Sequence, residues 1–450
     1  MKQTVIAKLE TPANPDSVTE GGSRLESDIA THTVADTVSA TAEPNSALVA
    51  PVFKSVAALS SKQSTHTVTD YRALLLAGTP LMDVRAPVEF ARGAIPGAVN
   101  RPLLSDEERH QVGISYKLDG QNAAIKLAAG LIDDTERERR LTQWKTFADA
   151  HPKGALYCFR GGLRSRIVQQ WLKDVGVKLP LVDGGYKAMR RWIIDTLEAL
   201  VKHHRFVLIA GRTGSGKTLL IKQLGRSIDL EGLARHRGSS FGQMLELQPS
   251  NIDFENALTV ALLRLDESVH LAADSTVVSA EYTVCGNNIS GEVSGACVFL
   301  EDEARLIGKV CLPDVLREAM QRAPIAILET PMASRIDCCF DDYVTDLLSR
   351  YQTQLGGQAG FNAYAVNHRS NLLRVQRRFG AENTKLAMTL LDKALDQHQR
   401  AGDTSGYAAF IELMLTSYYD PMYDYQLSGK AQRIEFTGDA AAIVEWAGSR

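Results

Sequence analysis

The sequence predicts an α/β protein built from two successive parallel-sheet units and a helical C-terminal region. Three observations support this prediction. Short apolar runs alternate with amphipathic helical patterns in the first half of the chain, which is typical of parallel sheets. A glycine-rich loop follows an apolar strand pattern at residue 211, which indicates a second α/β unit. From about residue 341 onward, helical patterns follow one another almost without a strand.

The composition is that of a globular protein with more than one domain. The chain has 450 residues, of which 44% are hydrophobic and 23% charged, and its net charge is −3. This charge excludes a protein that is basic throughout, although a local basic surface is compatible with it. Six cysteines without CxxC pairs or zinc spacing indicate reduced thiols and no resident metal site. No apolar run approaches the roughly 18 residues of a membrane span and no secretory signal is recognisable, so we expect a cytoplasmic protein without membrane contact.

Changes in composition predict four segments. Residues 1–66 are rich in small and polar side chains and nearly lack aromatic ones, so we predict a mostly disordered extension that can bury little. We predict a first α/β domain at 67–200, a second at 201–340 and a mostly helical region at 341–450. A Ser/Gly/Asn-rich stretch at 271–296 is interpreted as an excursion at a loop.

In the first domain, three short apolar runs are predicted as strands. The first, Leu81–Val84, follows a helical pattern that starts at Tyr71 and a turn at 78–80. The segment GAIPGAVNRPL after it is rich in turn residues. The second strand is ALYCF, which ends at a cysteine, and the third is LPLVDGG. Helical patterns between and after these runs lie at 123–131, 136–150, 165–175 and 186–200.

The second domain begins with RFVLIAG, an apolar strand pattern that leads into the glycine loop, and LLIKQLG continues as a helix. Two further apolar runs, at 296–300 and 325–328, are predicted as strands. Helical patterns then fill 341–417. We expect YDPMYDYQL to interrupt these helices and RIEFTG to form one late strand.

Cys158 is the candidate reactive group of the first domain. It ends a buried strand, and a turn with Gly161 and Gly162 and then a helix follow it. The N–H groups of such a turn, the helix N-terminus and the cations Arg160 and Arg164 favour the thiolate. The loop suits a persulfide or perselenide carrier, a phosphatase nucleophile with C-x5-R-S spacing, or an oxidisable sensor, and spacing does not choose among them. The alternative is a buried cysteine that only packs in the core and takes part in no reaction.

The string GRTGSGKT matches the full GxxxxGK[ST] pattern between a strand and a helix. Its glycines (Gly211, Gly214, Gly216) let backbone N–H groups face a diphosphate, Lys217 adds a point charge and Thr218 can ligate Mg²⁺. In an NTPase we would expect a neighbouring apolar strand to end directly in an aspartate, and the acids after the neighbouring strands here do not follow that pattern. The loop therefore predicts a diphosphate-like ligand more directly than nucleotide hydrolysis. The candidate acids are Glu301, Asp302, Glu303 and Glu329.

The chain on both sides of this loop is basic. Residues 187–237 contain eleven Lys or Arg against four Asp or Glu, a net charge of +7. A solvated face would account for it, but a basic stretch near two anion sites also suits a polyanion. The basic cluster Arg374, Arg377 and Arg378 is open to the same two interpretations. The candidate polyanion-binding residues are Arg190, Arg191, Arg235, His236 and Arg237.

The segment LMDVRAPVEFARGAIPGAVNRPL, with the cysteine loop and LVDGG, resembles the rhodanese fold over residues 67–200. In this signature we interpret Asp83 and Arg85 as a buried structural pair rather than as catalytic groups. The cysteine loop is one residue longer than the common rhodanese loop, which leaves room for a larger atom or group.

Over residues 67–447 the order of the motifs resembles the tRNA 2-selenouridine synthases, in which a rhodanese-like domain precedes a P-loop domain. The 271–296 stretch and the N-terminal extension depart from the family pattern, but neither touches the two loops. The strings that carry the resemblance are YKLDGQNAAIKLAAGLI, LVDGGYKAMRRW, DLEGLARHRGSSFG, FENAL, LEDEARLIGKVCLPD and YYDPMYDYQL.

This resemblance implies selenium transfer to tRNA. The family replaces the sulfur of wobble 2-thiouridine with selenium from selenophosphate, through an S-geranyl intermediate made from geranyl diphosphate. By the resemblance, Cys158 is the selenium-carrying residue, the basic residues hold the tRNA anticodon arm, and an enzyme that supplies selenophosphate is a candidate partner. We hypothesise that Lys217 and Thr218 hold the diphosphate of geranyl diphosphate together with Mg²⁺.

Three other functions remain open. The chain could be a P-loop kinase or NTPase with a rhodanese regulatory module, which predicts ATP turnover without tRNA. It could be a non-catalytic sulfur-relay or RNA-binding scaffold, which predicts that Cys158 is dispensable. It could also be a cysteine phosphatase, which predicts hydrolysis of an aryl phosphate.

Overall fold

The predicted N-terminal extension and most of the predicted 271–296 excursion lie outside the part of the chain that the computed structural model describes. Side chains are described except within 267–296. The described residues are 67–272, 281–284, 287–290 and 297–450.

The first sheet is formed by short parallel strands. They are β1 Thr67–Val68, β2 Leu81–Asp83, β3 Ala98–Asn100, β4 Ala155–Tyr157 and β5 Leu181–Val182. Their order is β1-β5-β4-β2-β3, and every pairing is parallel. The three strands predicted from apolar runs are confirmed. The edge strands β1 and β3 were not predicted, because neither lies within a longer apolar run of the kind that marks β2, β4 and β5.

Helices with clear start signals surround this sheet. Asp70 caps the first, and Ser105 with Glu108 forms a capping box at the helix that begins at Asp106. The predicted helices are confirmed with small shifts of their ends. The helices are α1 Tyr71–Leu76, α2 Pro87–Ala91, α3 Asp106–Leu118, α4 Gly120–Leu131, α5 Asp134–Ala150, α6 Leu163–Asp174 and α7 Gly185–His203.

The second sheet is also parallel. Its strands are β6 Phe206–Ala210, β7 Ser227–Ile228, β10 Val298–Glu301, β13 Ile325–Leu328 and β14 Ile434–Gly438. They lie in the order β14-β13-β6-β10-β7, so the last strand of the chain closes one edge. The predicted late strand in RIEFTG is thereby confirmed. Two antiparallel ribbons add β8 Glu281–Val284, β9 Asn287–Ser290, β11 Leu306–Ile307 and β12 Val310–Cys311.

The C-terminal region is helical, as predicted, but the interruption expected at YDPMYDYQL is wrong. That string lies in a helix that continues from a π-helical segment, and Pro421 is the second residue of this α-helix. The remaining helices are α8 Lys217–Gln223, α9 Leu230–Ala234, α10 Asn251–Ala272, α11 Asp314–Arg322, α12 Met332–Phe340, α13 Leu347–Leu355, α14 Gly357–Phe379, α15 Ala381–Ala401, α16 Tyr407–Met414, α17 Asp420–Ser428 and α18 Ala440–Gly448, with π-helical segments at Asp341–Asp346 and Leu415–Tyr419.

Helix α7 joins the two sheets through one continuous core. Its buried residues Met189 and Ile193 belong to the same apolar cluster as Tyr157 of the first sheet and Leu208 of the second. This packing places the loops that follow the strands of both sheets in one body. Within the described residues, no helix combines the length and the apolar character needed to cross a bilayer.

Candidate active site

Cys158 lies directly after strand β4, and its side chain is buried beneath the loop that follows. The residue is 3% exposed. Its Sγ is 3.2 Å from Oγ of Ser165, which lies in the first turn of α6. The Ser165 hydroxyl also donates to the carbonyl of Gly162 at 3.0 Å. The thiol thus has a polar hydroxyl neighbour at a helix N-terminus, unlike a cysteine surrounded only by apolar groups.

The glycine pair Gly184 and Gly185, which follows strand β5, packs against the cysteine loop. The N–H of Tyr186 donates to the carbonyl of Cys158 at 2.9 Å. Gly161 and Gly185 have φ of +62° and +59°, which L side chains rarely adopt. A Cβ on Gly185 would lie 2.4 Å from the Cys158 carbonyl oxygen. Glycine is therefore required in LVDGG so that the two loops can approach each other.

The two loop arginines have different surroundings. Arg160 is exposed. Arg164 donates to the carboxylate of Glu89 on α2 at 2.6 and 3.2 Å, and Arg109 lies 3.9 Å from the same carboxylate. Burial raises the pKa of Glu89, but the bonds from Arg164 outweigh burial and the net pKa is lowered. Glu89 is therefore a charged anchor for the loop, and Arg160 is the loop cation that faces solvent.

Asp83 and Arg85 form the buried structural pair that was predicted. Both side chains are at most 2% exposed, and the Arg85 Nε lies 2.8 Å from Oδ2 of Asp83. Arg85 also donates to the carbonyl of Gly93 at 2.8 Å and stacks 3.7 Å from the ring centre of Tyr186. The pair holds the 93–98 segment and the start of α7 against the cysteine loop.

The second loop has the geometry expected of a P-loop. It connects β6 to α8, and Lys217 Nζ donates across it to the carbonyl of Gly211 at 2.8 Å. Gly214 and Gly216 have φ of +78° and +84°. A Cβ on Gly214 would lie 2.6 Å from the carbonyl oxygen of Arg335. The glycines thus give the loop its shape and allow its close packing on α12.

The hydroxyl of Thr218 contacts one carboxylate, which has a second carboxylate beside it. This hydroxyl donates to Glu231 of α9 at 3.2 Å. Burial raises the pKa of Glu231, and burial together with the Glu231 carboxylate raises the pKa of Glu303 well above its usual range. Both carboxyl groups lie beside Gly238, which places them close to each other. Glu231 was not among the residues predicted for the site.

The other candidate acids lie elsewhere. Glu301 is fully buried at the end of β10, accepts a bond from the N–H of Leu230 at 2.8 Å, and has a pKa raised to about 8, mainly by burial. Asp302 is held by Lys430 at 2.7 and 2.8 Å. Glu329 is exposed. Of the four acids predicted from the sequence, Glu303 is the one whose carboxyl group contacts the Thr218–Glu231 pair.

The donor set beside Thr218 fits a hydrated Mg²⁺ ion. Among the described residues, no group of three or more His, Cys, Asp or Glu side chains is arranged to hold a metal by itself. Mg²⁺, however, is usually held by one or two protein oxygens together with substrate phosphates and waters. The Thr218 hydroxyl and the Glu231 carboxylate supply such oxygens at the mouth of the P-loop.

The C-terminal helices clamp the P-loop through two arginines that sequence reasoning missed. Arg335 of α12 donates to the carbonyl of Thr213 at 3.0 Å and to the carboxylate of Asp420. Arg212 donates to Asp424 at 2.8 Å. Both acids lie in the YDPMYDYQL string, whose two aspartates, four residues apart on one helix face, were the available signal.

An apolar cavity adjoins the P-loop at Thr213. Tyr343 and Leu415, which help to line it, belong to the two π-helical segments, and such segments are frequent at functional sites. His368, which also lines it, is buried, and burial lowers its pKa to about 4, so it is neutral. Further lining side chains are Phe241, Phe410, Ile411 and Met414.

The predicted polyanion-binding residues divide into two groups. Arg190 is bound to Glu255 and Asn256, and Arg237 to Asp342 and Asp346, so these arginines join parts of the chain. His236 is buried, and burial, with Arg374 nearby, lowers its pKa. Arg191 is exposed and pairs with Asp195 of its own helix at 3.0 Å. Arg235 is exposed, as are Arg374, Arg377 and Arg378 on α14. The exposed arginines are the ones that can reach a polyanion.

Comparisons with known proteins agree with this architecture. Residues 67–191 match the model of the rhodanese-like domain, and residues 204–294 and 289–450 match that of the tRNA 2-selenouridine synthase AAA domain. The chain is 46% identical over 385 residues to a tRNA 2-selenouridine synthase of Marinobacter nauticus, covering 85% of this chain and 97% of that one. Proteins of the same name from Cupriavidus pinatubonensis and Hahella chejuensis are each 45% identical, covering 84% of this chain and 96% and 93% of theirs.

Proposed function

The chain belongs to the tRNA 2-selenouridine synthase family, and on this premise we propose that it converts wobble 2-thiouridine of tRNA into 2-selenouridine. Selenophosphate supplies the selenium, and geranyl diphosphate first alkylates the sulfur. The family membership confirms the resemblance predicted from the order of the motifs. It favours this function over the kinase, scaffold and phosphatase alternatives.

The observation that carries the prenyl step of this proposal is the position of Thr213. This residue belongs to the P-loop and also lines the apolar cavity between the two π-helical segments. A prenyl diphosphate has a charged head and an apolar tail, so it can place the head in the loop and the start of the tail at this cavity. The cavity has a volume of about 40 Å³, so it must widen to accept a whole geranyl chain. A nucleotide would place a polar ribose there instead, which an apolar wall disfavours.

In the first step, the C2 sulfur of thiouridine attacks C1 of geranyl diphosphate. A C–S bond forms, the C–O bond to the diphosphate breaks with its electron pair going to the diphosphate, and the N3 proton of the base is released. The N–H groups of the P-loop and Lys217 stabilise the charge of the departing diphosphate. Mg²⁺ held by Thr218 and Glu231 would neutralise further negative charge on that leaving group.

In the second step, a selenium nucleophile from selenophosphate adds to C2 of the alkylated base. At the base, the C–S bond breaks, geranyl thiol leaves with a proton, and a C=Se bond forms. At the donor, water takes up the phosphoryl group as the Se–P bond breaks, and phosphate is released. Selenium enters at the oxidation level of the sulfur that it replaces, so the exchange needs no oxidant or reductant. We place this step at the Cys158 loop, where Arg160, Gly161 and Gly162 offer positive charge and N–H groups to an anionic donor.

The tRNA is the macromolecular substrate in this proposal. Arg235 and Arg191 are suited to contact phosphates of the anticodon arm, since both are exposed and the pair of Arg191 with Asp195 lies within one helix. Arg190 and Arg237 are less exposed and pair with distant parts of the chain, which assigns them to holding the protein surface in shape. An enzyme that supplies selenophosphate is a further proposed partner, and the cytoplasm is the proposed location.

Mass spectrometry of tRNA nucleosides tests this assignment of the two loops. Cells that lack this protein are complemented with the wild type, Lys217→Ala or Cys158→Ala and are grown with selenite. We expect Lys217→Ala to lose both modified nucleosides, and Cys158→Ala to accumulate S-geranyl-2-thiouridine without 2-selenouridine. Normal geranylation by Lys217→Ala would show that the P-loop does not hold the diphosphate. Unchanged nucleosides in cells without the protein would reject the function itself.

A further inference from the structure

A cleft of about 400 Å³ lies between the first and second parts of the chain, apart from both loops. One wall is the 90–98 segment, which includes Phe90. The other is formed by Leu233 and Arg235 at the end of α9 and by Asp253 and Ala257 of α10. The volume is within the range of about 300–1,000 Å³ that is usual for small-ligand sites.

The first wall is connected directly to the cysteine loop. Phe90 follows Glu89 in α2, and Glu89 accepts the 2.6 Å hydrogen bond from Arg164 of that loop. A group that enters the cleft beside Phe90 therefore lies next in sequence to Glu89, the residue that anchors the cysteine loop.

The second wall is connected directly to the P-loop. Helix α9 carries Glu231, which accepts the hydrogen bond from Thr218, and it ends at Arg235. Arg235 has φ of +50° and is the only non-glycine residue with positive φ among the described residues. Such strained backbone persists where the surrounding structure imposes it, and it is common at ligand sites.

The guanidinium of Arg235 is available to a ligand. The side chain is exposed, and its hydrogen bond to the carbonyl of Leu247 is long, at 3.4 Å. The carboxylate of Asp253, by contrast, is engaged: it accepts bonds from the N–H of Ala94 at 2.7 Å and from the Ser250 hydroxyl at 2.8 Å. The bond from Ala94 ties the two walls together, and Arg235 remains as the cation at the edge of the cleft.

We propose that this cleft is where the wobble nucleotide docks after it has turned out of the anticodon loop, with the base against Phe90 and Leu233 and its phosphate at Arg235, before the base reaches the two loops where it reacts. The proposal rests on the proposed function, because both steps act on this one base. A single-stranded RNA base is recognised by aromatic and apolar surface together with an arginine at its phosphate, which is what the cleft offers. Each wall of the cleft is linked to one of the two loops.

Photo-crosslinking of the full-length protein tests the location. The probe is a tRNA transcript with 4-thiouridine at the wobble position, and the crosslinked peptide is identified by mass spectrometry. We expect crosslinks within 90–98 or 233–235. Crosslinks confined to other peptides would overturn the proposal. Crosslinking requires binding alone, so a wild-type protein without activity would reject the proposed function and still report on the cleft.

Kinetics with 2-thiouridine tRNA and geranyl diphosphate test the two residues. We expect Arg235→Gly, which relieves the backbone strain and so preserves the fold, to raise the KM for tRNA about tenfold and to make it less dependent on salt. Phe90→Ala should raise this KM about tenfold by loss of stacking, and Arg235→Lys should restore most of the affinity. Arg400→Gly, at an exposed position in the last turn of α15, is the control. Equal KM values for tRNA in Arg235→Gly, Phe90→Ala and this control would contradict the assignment.

Discussion

The carboxylate of Asp420 accepts hydrogen bonds from both terminal nitrogens of Arg335, at 3.0 and 2.5 Å, in a pair that is almost completely buried. The Nε of the same arginine donates to the P-loop carbonyl of Thr213 at 3.0 Å. A bidentate arginine–carboxylate pair is strong and directional. The C-terminal helices therefore determine the position of the P-loop.

Replacement of Asp420 by Asn should weaken both the fold and geranyl transfer. Arg335 would keep a partner but lose the negative charge that compensates it, so we expect a loss of about 3 kcal/mol in the free energy of unfolding and a roughly tenfold higher KM for geranyl diphosphate. Urea denaturation and steady-state kinetics measure the two effects. Asp424→Asn is the matched control, because its pair with Arg212 is exposed and should be worth less than about 1 kcal/mol. Equal effects of the two variants would show that the buried clamp has no special role.

Replacement of Glu89 by Gln should separate the two steps. The change removes the charge that holds Arg164 near Cys158, so we expect selenium incorporation to fall at least tenfold, the value of one charged hydrogen bond of about 1.5 kcal/mol, while geranyl transfer is retained. Nucleoside mass spectrometry measures both products. Glu107→Gln, on the exposed start of α3, serves as the control. A parallel loss of both products would point to a general loss of structure.

Replacement of Phe410 by Ala should change which prenyl chain is used. The phenyl ring lines the cavity beside the P-loop, so its removal makes room for a longer chain. We expect the ratio of kcat/KM for farnesyl over geranyl diphosphate to rise about tenfold or more. Phe361→Ala is matched, since Phe361 is buried in the same helical core but does not line the cavity, and each variant should lose about 3 kcal/mol of stability. An unchanged preference in Phe410→Ala would place the chain elsewhere.

Glu301 should make the protein less stable as the pH rises. The pKa of this buried carboxyl is raised from 4.5 to about 8. Between these values the folded chain holds a proton that the unfolded chain has lost, so the free energy of unfolding falls with increasing pH. We expect Glu301→Gln, which retains an acceptor for the N–H of Leu230, to remove this slope and to be more stable at pH 8 by roughly 2 kcal/mol. Thermal melts at pH 5, 6, 7 and 8 measure it, and parallel curves for the two proteins would contradict the assignment.

Local patterns in the sequence were sufficient for the two loops and the elements that flank them. The strand before Cys158, the turn glycines and the P-loop consist of neighbouring residues, and their backbone geometry follows from residue type. The buried pair of Asp83 and Arg85 was predicted from the resemblance to the rhodanese fold. The expected break at YDPMYDYQL was wrong because Pro421 falls in the first turn of a helix, a position that composition does not reveal.

What the sequence by itself determined is therefore the order of the elements, the positions of the two glycine-containing loops and the family. Only the tertiary structure decided which charges surround those loops. Arg164 meets Glu89 across 75 positions and Arg335 meets Asp420 across 85, while Glu231 rather than Asp302 reaches Thr218. The interaction of two charges depends on their distance in space and on burial, and for residues far apart in the chain neither quantity exists until the chain has folded.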